Sequence, residues 1–167
     1  FSAAGADDPA AASLAAFAVV AVGGAGCIFA GLLADRFGRS ATTIVAMAVS
    51  GSAAVATALA FGADPVLTTA GAVVWGVPGV ADSAQFSAAV TELTPPGTAG
   101  SALTLQVAAG FTLTSLTILL VGLVNEAGGE AWQPAFMALA LGPAVGIIAM
   151  WRLRRLPDAV RMANGRR

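Results

Sequence analysis

Five long runs of uncharged, mostly apolar residues constrain this chain more than any other feature. They cover about residues 10–34, 41–62, 66–90, 100–124 and 132–151, and only the third contains a charged residue, Asp82. A helix of roughly 20 residues crosses the ~30 Å core of a bilayer. Backbone groups in lipid must bond internally, and the runs lack the alternation of barrel strands, so helices are expected. The sequence therefore predicts an all-α integral membrane protein with about five transmembrane helices.

The composition supports this prediction and excludes several classes of function. Hydrophobic residues make up 57% of the chain, with 20 glycines besides, whereas charged residues make up 10% against about 25% in soluble domains. With no His and no Lys, the chain can form neither a Ser–His pair nor the lysine-containing P-loop of an ATPase. Cys27 is the single cysteine. We therefore expect no enzyme, cofactor, metal site or nucleic-acid partner, and a lipid bilayer as the surrounding medium.

The arginines predict the orientation of the chain, because basic residues near span ends stay preferentially in the cytoplasm. Two follow the first run and six lie in the tail of residues 152–167: Arg36, Arg39, Arg152, Arg154, Arg155, Arg161, Arg166 and Arg167. With five crossings, both groups fall on one side, together with the loop at 91–99. Asp7, Asp8, Asp64, Glu126 and Glu130 fall on the other side. We expect a multi-pass protein of a cell membrane with its first residues outside and its tail in the cytoplasm.

A short ordered motif stands between the first two runs. Its residues are Gly31, Leu32, Leu33, Ala34, Asp35, Arg36, Phe37, Gly38, Arg39 and Ser40. The motif resembles the cytoplasmic loop signature of the major facilitator superfamily, Gly-x-Leu-Ala-Asp-Arg-x-Gly-Arg-Lys, and departs from it at Ser40, where the family has a basic residue. The resemblance implies a gating loop formed by Gly31, Asp35, Arg36, Gly38 and Arg39.

A second stretch, from Glu92 to Ala102, resembles the other cytoplasmic loop of this family, at the expected distance of two spans. Ala99 stands where the family has an arginine. In the family, the glutamate and the loop arginines form ion pairs at the inner gate. The resemblance therefore implies that Glu92 pairs with Arg36 or Arg39, and that these contacts break when the inner side opens.

The family consists of two six-helix halves with the substrate between them. Since the chain begins at Phe1 without Met, we interpret it as part of a longer transporter whose remainder is a necessary partner. Five spans starting outside fit either the second to sixth or the eighth to twelfth helices. The near-complete loop motif favours the first half. The segment 81–88 resembles the tenth helix of bacterial members, and the third run lacks an intramembrane arginine, which together favour the C-terminal half and a bacterial inner membrane.

Four polar or aromatic residues within the runs are candidates for binding a proton or the substrate. Asp82 is the ionisable residue deepest in a span, where a charge costs about 2.5–3.5 kcal/mol. Two interpretations are open: Asp82 has a functional role in carrying a proton, or it is a structural acid near the inner gate. Gln85 lies about one helical turn further on, and Trp75 lies two turns earlier. Gln106 belongs to the fourth run.

The resemblance implies secondary active transport of a small solute by alternating access, with protons as the candidate coupling ion. The alternative is a membrane sensor or assembly protein that keeps this fold without transporting, since a fold does not guarantee an activity. No residue in the sequence identifies the solute.

Overall fold

A computed structural model describes residues 9–60, 65–127 and 132–165 of the chain. The second run's last residues, 61–62, lie outside this part, as do Asp7, Asp8, Asp64, Glu130, Arg166 and Arg167. All elements in the described ranges are helical: α1 Pro9–Phe37, α2 Arg39–Ala60, α3 Pro65–Leu93, α4 Ala99–Ala127, α5 Trp132–Leu139, α6 Leu141–Arg155 and a C-terminal 3₁₀ helix Pro157–Gly165.

Four of the described helical stretches are long and apolar enough to cross a membrane: Ala16–Phe37, Arg39–Ala60, Ala99–Glu126 and Trp132–Arg155. The fourth of these includes both α5 and α6. α3, with 29 residues, is long enough but is not among these stretches, and it contains Asp82 and Gln85. The structure is thus an all-α bundle of membrane-spanning type.

The fifth run was predicted as one helix over 132–151, but the structure divides it at Ala140. Pro143 has no N–H to donate to the carbonyl of Leu139, four residues earlier. The chain tightens there, and the Ala140 N–H bonds to the Met137 carbonyl three residues back, at 3.2 Å. Helix α6 then continues to Arg155, four residues beyond the predicted end of the span.

Helix α3 contains Pro78 and continues through it from Pro65 to Leu93. Pro78 is buried. The neighbouring Val77 packs against Gly26 of α1, where an added Cβ would lie 2.7 Å from Val77 Cγ1. The absence of a side chain at Gly26 therefore lets α1 and α3 approach closely, as small residues do in membrane bundles.

Helix α2 is the centre of the bundle and packs against α1, α3, α5 and α6. Small residues again mark the contacts: a Cβ at Gly71 of α3 would lie 2.6 Å from Thr57 Oγ1, and one at Gly146 of α6 would lie 2.6 Å from Met47 Sδ. In contrast, α4 packs against α3 and α5 and leaves most of its side chains exposed.

Candidate gating cluster at the ends of α2 and α3

Gly38 is the single residue that joins α1 to α2. Its φ of 98° lies in the left-handed region, which glycine adopts without the steric penalty that a Cβ brings. Its N–H bonds to the Ala34 carbonyl at 2.9 Å and closes the end of α1. Because the turn uses one residue, α2 begins at once with Arg39.

Arg39 forms a two-pronged ion pair with Glu92, the penultimate residue of α3. Its Nε lies 2.8 Å from Glu92 Oε2 and its Nη2 lies 2.6 Å from Glu92 Oε1. The two side chains are 15% and 26% exposed, so water screens this pair less than an ordinary surface pair. Arginine is suited to this contact because its planar fork donates two parallel hydrogen bonds to a carboxylate.

Two further side chains surround the Arg39 guanidinium. Gln85 of α3, which is 3% exposed, accepts a hydrogen bond from Arg39 Nη1 at 3.2 Å through its Oε1. Asp35 of α1 lies 3.7 Å from Nη2, with a side chain that is 70% exposed. The guanidinium thus joins the ends of three helices. We call Asp35, Arg39, Gln85 and Glu92 the gating cluster.

Glu92 has a second donor from a distant part of the chain. The backbone N–H of Ala163, in the C-terminal 3₁₀ helix, donates to Glu92 Oε2 at 3.0 Å. Hydrogen bonds from Arg39, and to a smaller extent from Ala163, stabilise the charged carboxylate. They outweigh the opposing effect of partial burial and hold the pKa of Glu92 below its usual value. At neutral pH, Glu92 is therefore an anion with both oxygens occupied.

The remaining motif residues lie outside the cluster. Arg36 is exposed, with its guanidinium carbon 5.5 Å from the centre of the Phe37 ring. Of the two arginines proposed for Glu92, Arg39 is the one that forms the pair. Gly31 lies within α1, and the space where its Cβ would stand is open to 4 Å.

The four candidates for proton or substrate binding fall in different surroundings. Gln85 lies in the gating cluster. Asp82 is half-buried on α3, and Ser83 Oγ donates to its Oδ1 at 3.4 Å. Gln106 of α4 donates to Ser87 Oγ at 3.4 Å, while its own buried Oε1 has no partner among the described residues. Trp75 packs edge-on against Phe136, with ring centres 6.3 Å apart.

The sequence did not predict Gln85 as a partner of Arg39 or Ala163 as a partner of Glu92. Gln85 and Glu92 are seven residues, two helical turns, apart on one face of α3, so this spacing could have indicated a shared partner. Ala163 contributes only a backbone N–H, and no side-chain pattern predicts that contact. In the described ranges no group of three or more metal-binding side chains lies together.

A helical bundle with several helices able to cross a membrane defines a multi-pass membrane protein. The family model of the Major Facilitator Superfamily matches residues 5–167. The chain therefore belongs to this superfamily, whose members are typically transporters of solutes rather than enzymes. No curated protein and no solved structure matches the chain.

Proposed function

We propose that this protein performs secondary active transport of a small solute by alternating access, with the gating cluster acting at the inner gate. The two-pronged Arg39–Glu92 pair carries the proposal. It joins the beginning of α2 to the end of α3, and both ends meet water at the same side of the bundle. A contact of this kind can stabilise one arrangement of the helices and break in another at a modest cost.

Family membership supports transport, and the cluster supports a conformational switch rather than a substrate site. Arg39 already uses its guanidinium on Glu92, Gln85 and Asp35. Residues that bind a solute need unoccupied polar groups facing a cavity, whereas these residues satisfy one another. We therefore place the solute elsewhere in the complete transporter, between its two halves.

Asp82 is our candidate for the coupling proton. It lies on α3 about three helical turns before Glu92, and it takes part in neither of the ion pairs that Arg39 forms with Asp35 and Glu92. A carboxylate within a span that is not held by a cation can take up and release a proton as its access to water changes. Opening of the inner gate next to Glu92 would expose this part of α3 to the cytoplasm.

Uptake by the complete protein in proteoliposomes tests the transport proposal, with radiolabelled solutes supplied in the presence and absence of a pH gradient. We expect one solute to accumulate only when the gradient is present. Solute binding without accumulation at any gradient would contradict transport and favour a sensor.

Charge reversal tests the gating role. Arg39→Glu and Glu92→Arg should each reduce uptake, because each places two like charges at the pair. The double variant restores opposite charges and should recover part of the activity. Recovery will be incomplete because Asp35 then faces a glutamate and Ala163 loses its acceptor. A double variant no better than either single one would remove the pair from the mechanism.

Asp82→Asn tests the proton role, with Ser83→Ala as the matched control because it removes only the hydroxyl that donates to Asp82. We expect Asp82→Asn to abolish the response of uptake to the pH gradient and Ser83→Ala to keep it. An unchanged response in Asp82→Asn would eliminate Asp82 as the coupling residue.

A further inference from the structure

The C-terminal 3₁₀ helix folds back onto the inner end of α3 instead of extending into water. The chain leaves α6 through Leu156, which is extended with φ −73° and ψ 147°. Ala159 and Met162 are then fully buried against Ala89 of α3, with Leu93 and Leu153 packed around them. Docking thus uses apolar side chains. Electrostatic retention by the tail arginines does not account for it, since Arg154, Arg155 and Arg161 remain exposed.

This docking brings one backbone group to the gating cluster. The Ala163 N–H reaches Glu92 Oε2, the same oxygen that accepts from Arg39 Nε at 2.8 Å. Ala163 has a φ of 45°, in the left-handed region that residues with a Cβ rarely adopt. Met162 is anchored immediately before it, so the packing holds the backbone in the orientation that points the N–H at the carboxylate.

We propose that the C-terminal 3₁₀ helix is a latch that positions Glu92 for Arg39 and so stabilises the closed inner gate. Met162 is the anchor of the latch, and Ala163 is the positioning residue. With one oxygen fixed by a backbone donor, the Glu92 carboxylate is held in the plane in which both prongs of Arg39 reach it. Undocking of the latch removes this constraint and weakens the pair without changing either charged residue.

The left-handed backbone at Ala163 sets the strength of the latch. Glycine adopts this conformation without penalty, whereas a β-branched residue opposes it more than alanine does. Ala163→Gly and Ala163→Val both keep the N–H but should therefore shift the latch in opposite directions. By the usual cost of a left-handed residue, Gly should favour the docked state about fivefold or more.

Two cysteine reporters in the complete protein measure the latch and the gate separately, after Cys27→Ser and replacement of any other native cysteine. Ala89→Cys lies under the docked latch and is 4% exposed, so its alkylation reports undocking. Ser40→Cys follows Arg39 at the start of α2. Ser40 is fully buried and its Oγ has no partner among the described residues, so the thiol should be well tolerated there. Both are treated with a membrane-impermeant maleimide from the cytoplasmic side.

Met162→Ala and Ala163→Val should accelerate alkylation at both reporters, by at least about tenfold for Met162→Ala because a buried anchor is lost. Val160→Ala is the matched control, since Val160 belongs to the same 3₁₀ helix but is 47% exposed. It should leave both rates unchanged. Ala163→Gly should slow both rates, and it keeps the test decisive if Met162→Ala does not fold.

Faster alkylation at position 89 with an unchanged rate at position 40 would overturn the proposal, because the tail would then dock without positioning the gate pair. Equal effects of Ala163→Gly and Ala163→Val would overturn it as well. The proposal rests on the gating role given above, but alkylation needs no solute. Absence of uptake would therefore refute transport and leave these results unaffected.

Discussion

The glycines of the loop motif serve different purposes, although the sequence pattern presents them alike. Gly38 has a φ of 98° and forms the turn by itself, whereas Gly31 is helical with open space beside it. We expect Gly38→Ala to destabilise the protein by about 1–2 kcal/mol, because a Cβ at positive φ clashes with the backbone. Gly31→Ala, the matched control, should be neutral or slightly stabilising by helix propensity. Thermal unfolding in detergent measures both, and equal losses would contradict this assignment.

Protonation of Glu92 gives a second prediction for single residues. Its pKa is lowered in the folded protein, so the pair contributes its full stability above the ordinary value of 4.5 and loses it as the pH falls through the lowered pKa. At pH 7, Glu92→Gln should therefore be less stable than the wild type by about 1–2 kcal/mol. The difference should vanish in acid, where the wild type carries a neutral carboxyl. A difference that stays constant from pH 7 to the acid limit would show that charge is not responsible.

The close packing of two helices depends on glycines at their contact, because glycine has no side chain. A Cβ at Gly26 would lie 2.7 Å from Val77 Cγ1 and 3.1 Å from the Val77 carbonyl oxygen, whereas one at Gly24 would meet nothing within 4 Å. Gly26→Ala should push α1 from α3 and lower the stability by about 1–3 kcal/mol. Gly24→Ala, on the same helix, should have little effect. Melting temperatures of the two variants in lipid nanodiscs check this, and a loss at Gly24 alone would contradict the packing.

The sequence predicted the elements well because their cause is local. Runs of apolar residues in lipid have to be helical. The pairing of Glu92 with a loop arginine was implied by the resemblance of the two loops to those of the family. The division at Ala140 was missed although its cause, Pro143, is visible, because hydropathy does not register a lost N–H. The contact of Ala163 with Glu92 could not be predicted, since it depends on how a tail 71 residues further along folds back.

At the scale of the whole molecule, the contacts argue that α3 crosses the membrane despite Asp82 and Gln85. Arg39 at the start of α2 meets Glu92 at the end of α3, and Thr57 near the end of α2 lies beside Gly71 near the start of α3. The two helices are therefore antiparallel over nearly their full length. α2 has 22 residues, about 33 Å, so α3 extends through the same thickness.

This antiparallel arrangement makes the predicted topology testable by labelling from each side. If α2, α3, α4 and the unit formed by α5 and α6 all cross, and the arginine-rich side is cytoplasmic, then the turn at Gly38, the loop at Thr98 and the exposed Val160 of the tail all face the cytoplasm. Single cysteines at Thr98 and Val160 should then react with an impermeant maleimide only in inside-out vesicles. A cysteine at Glu126, near the end of α4, should react only in right-side-out vesicles. Labelling of Thr98 and Val160 from opposite sides would mean that either α4 or the unit formed by α5 and α6 does not cross the membrane. The five-span topology would then have to be abandoned.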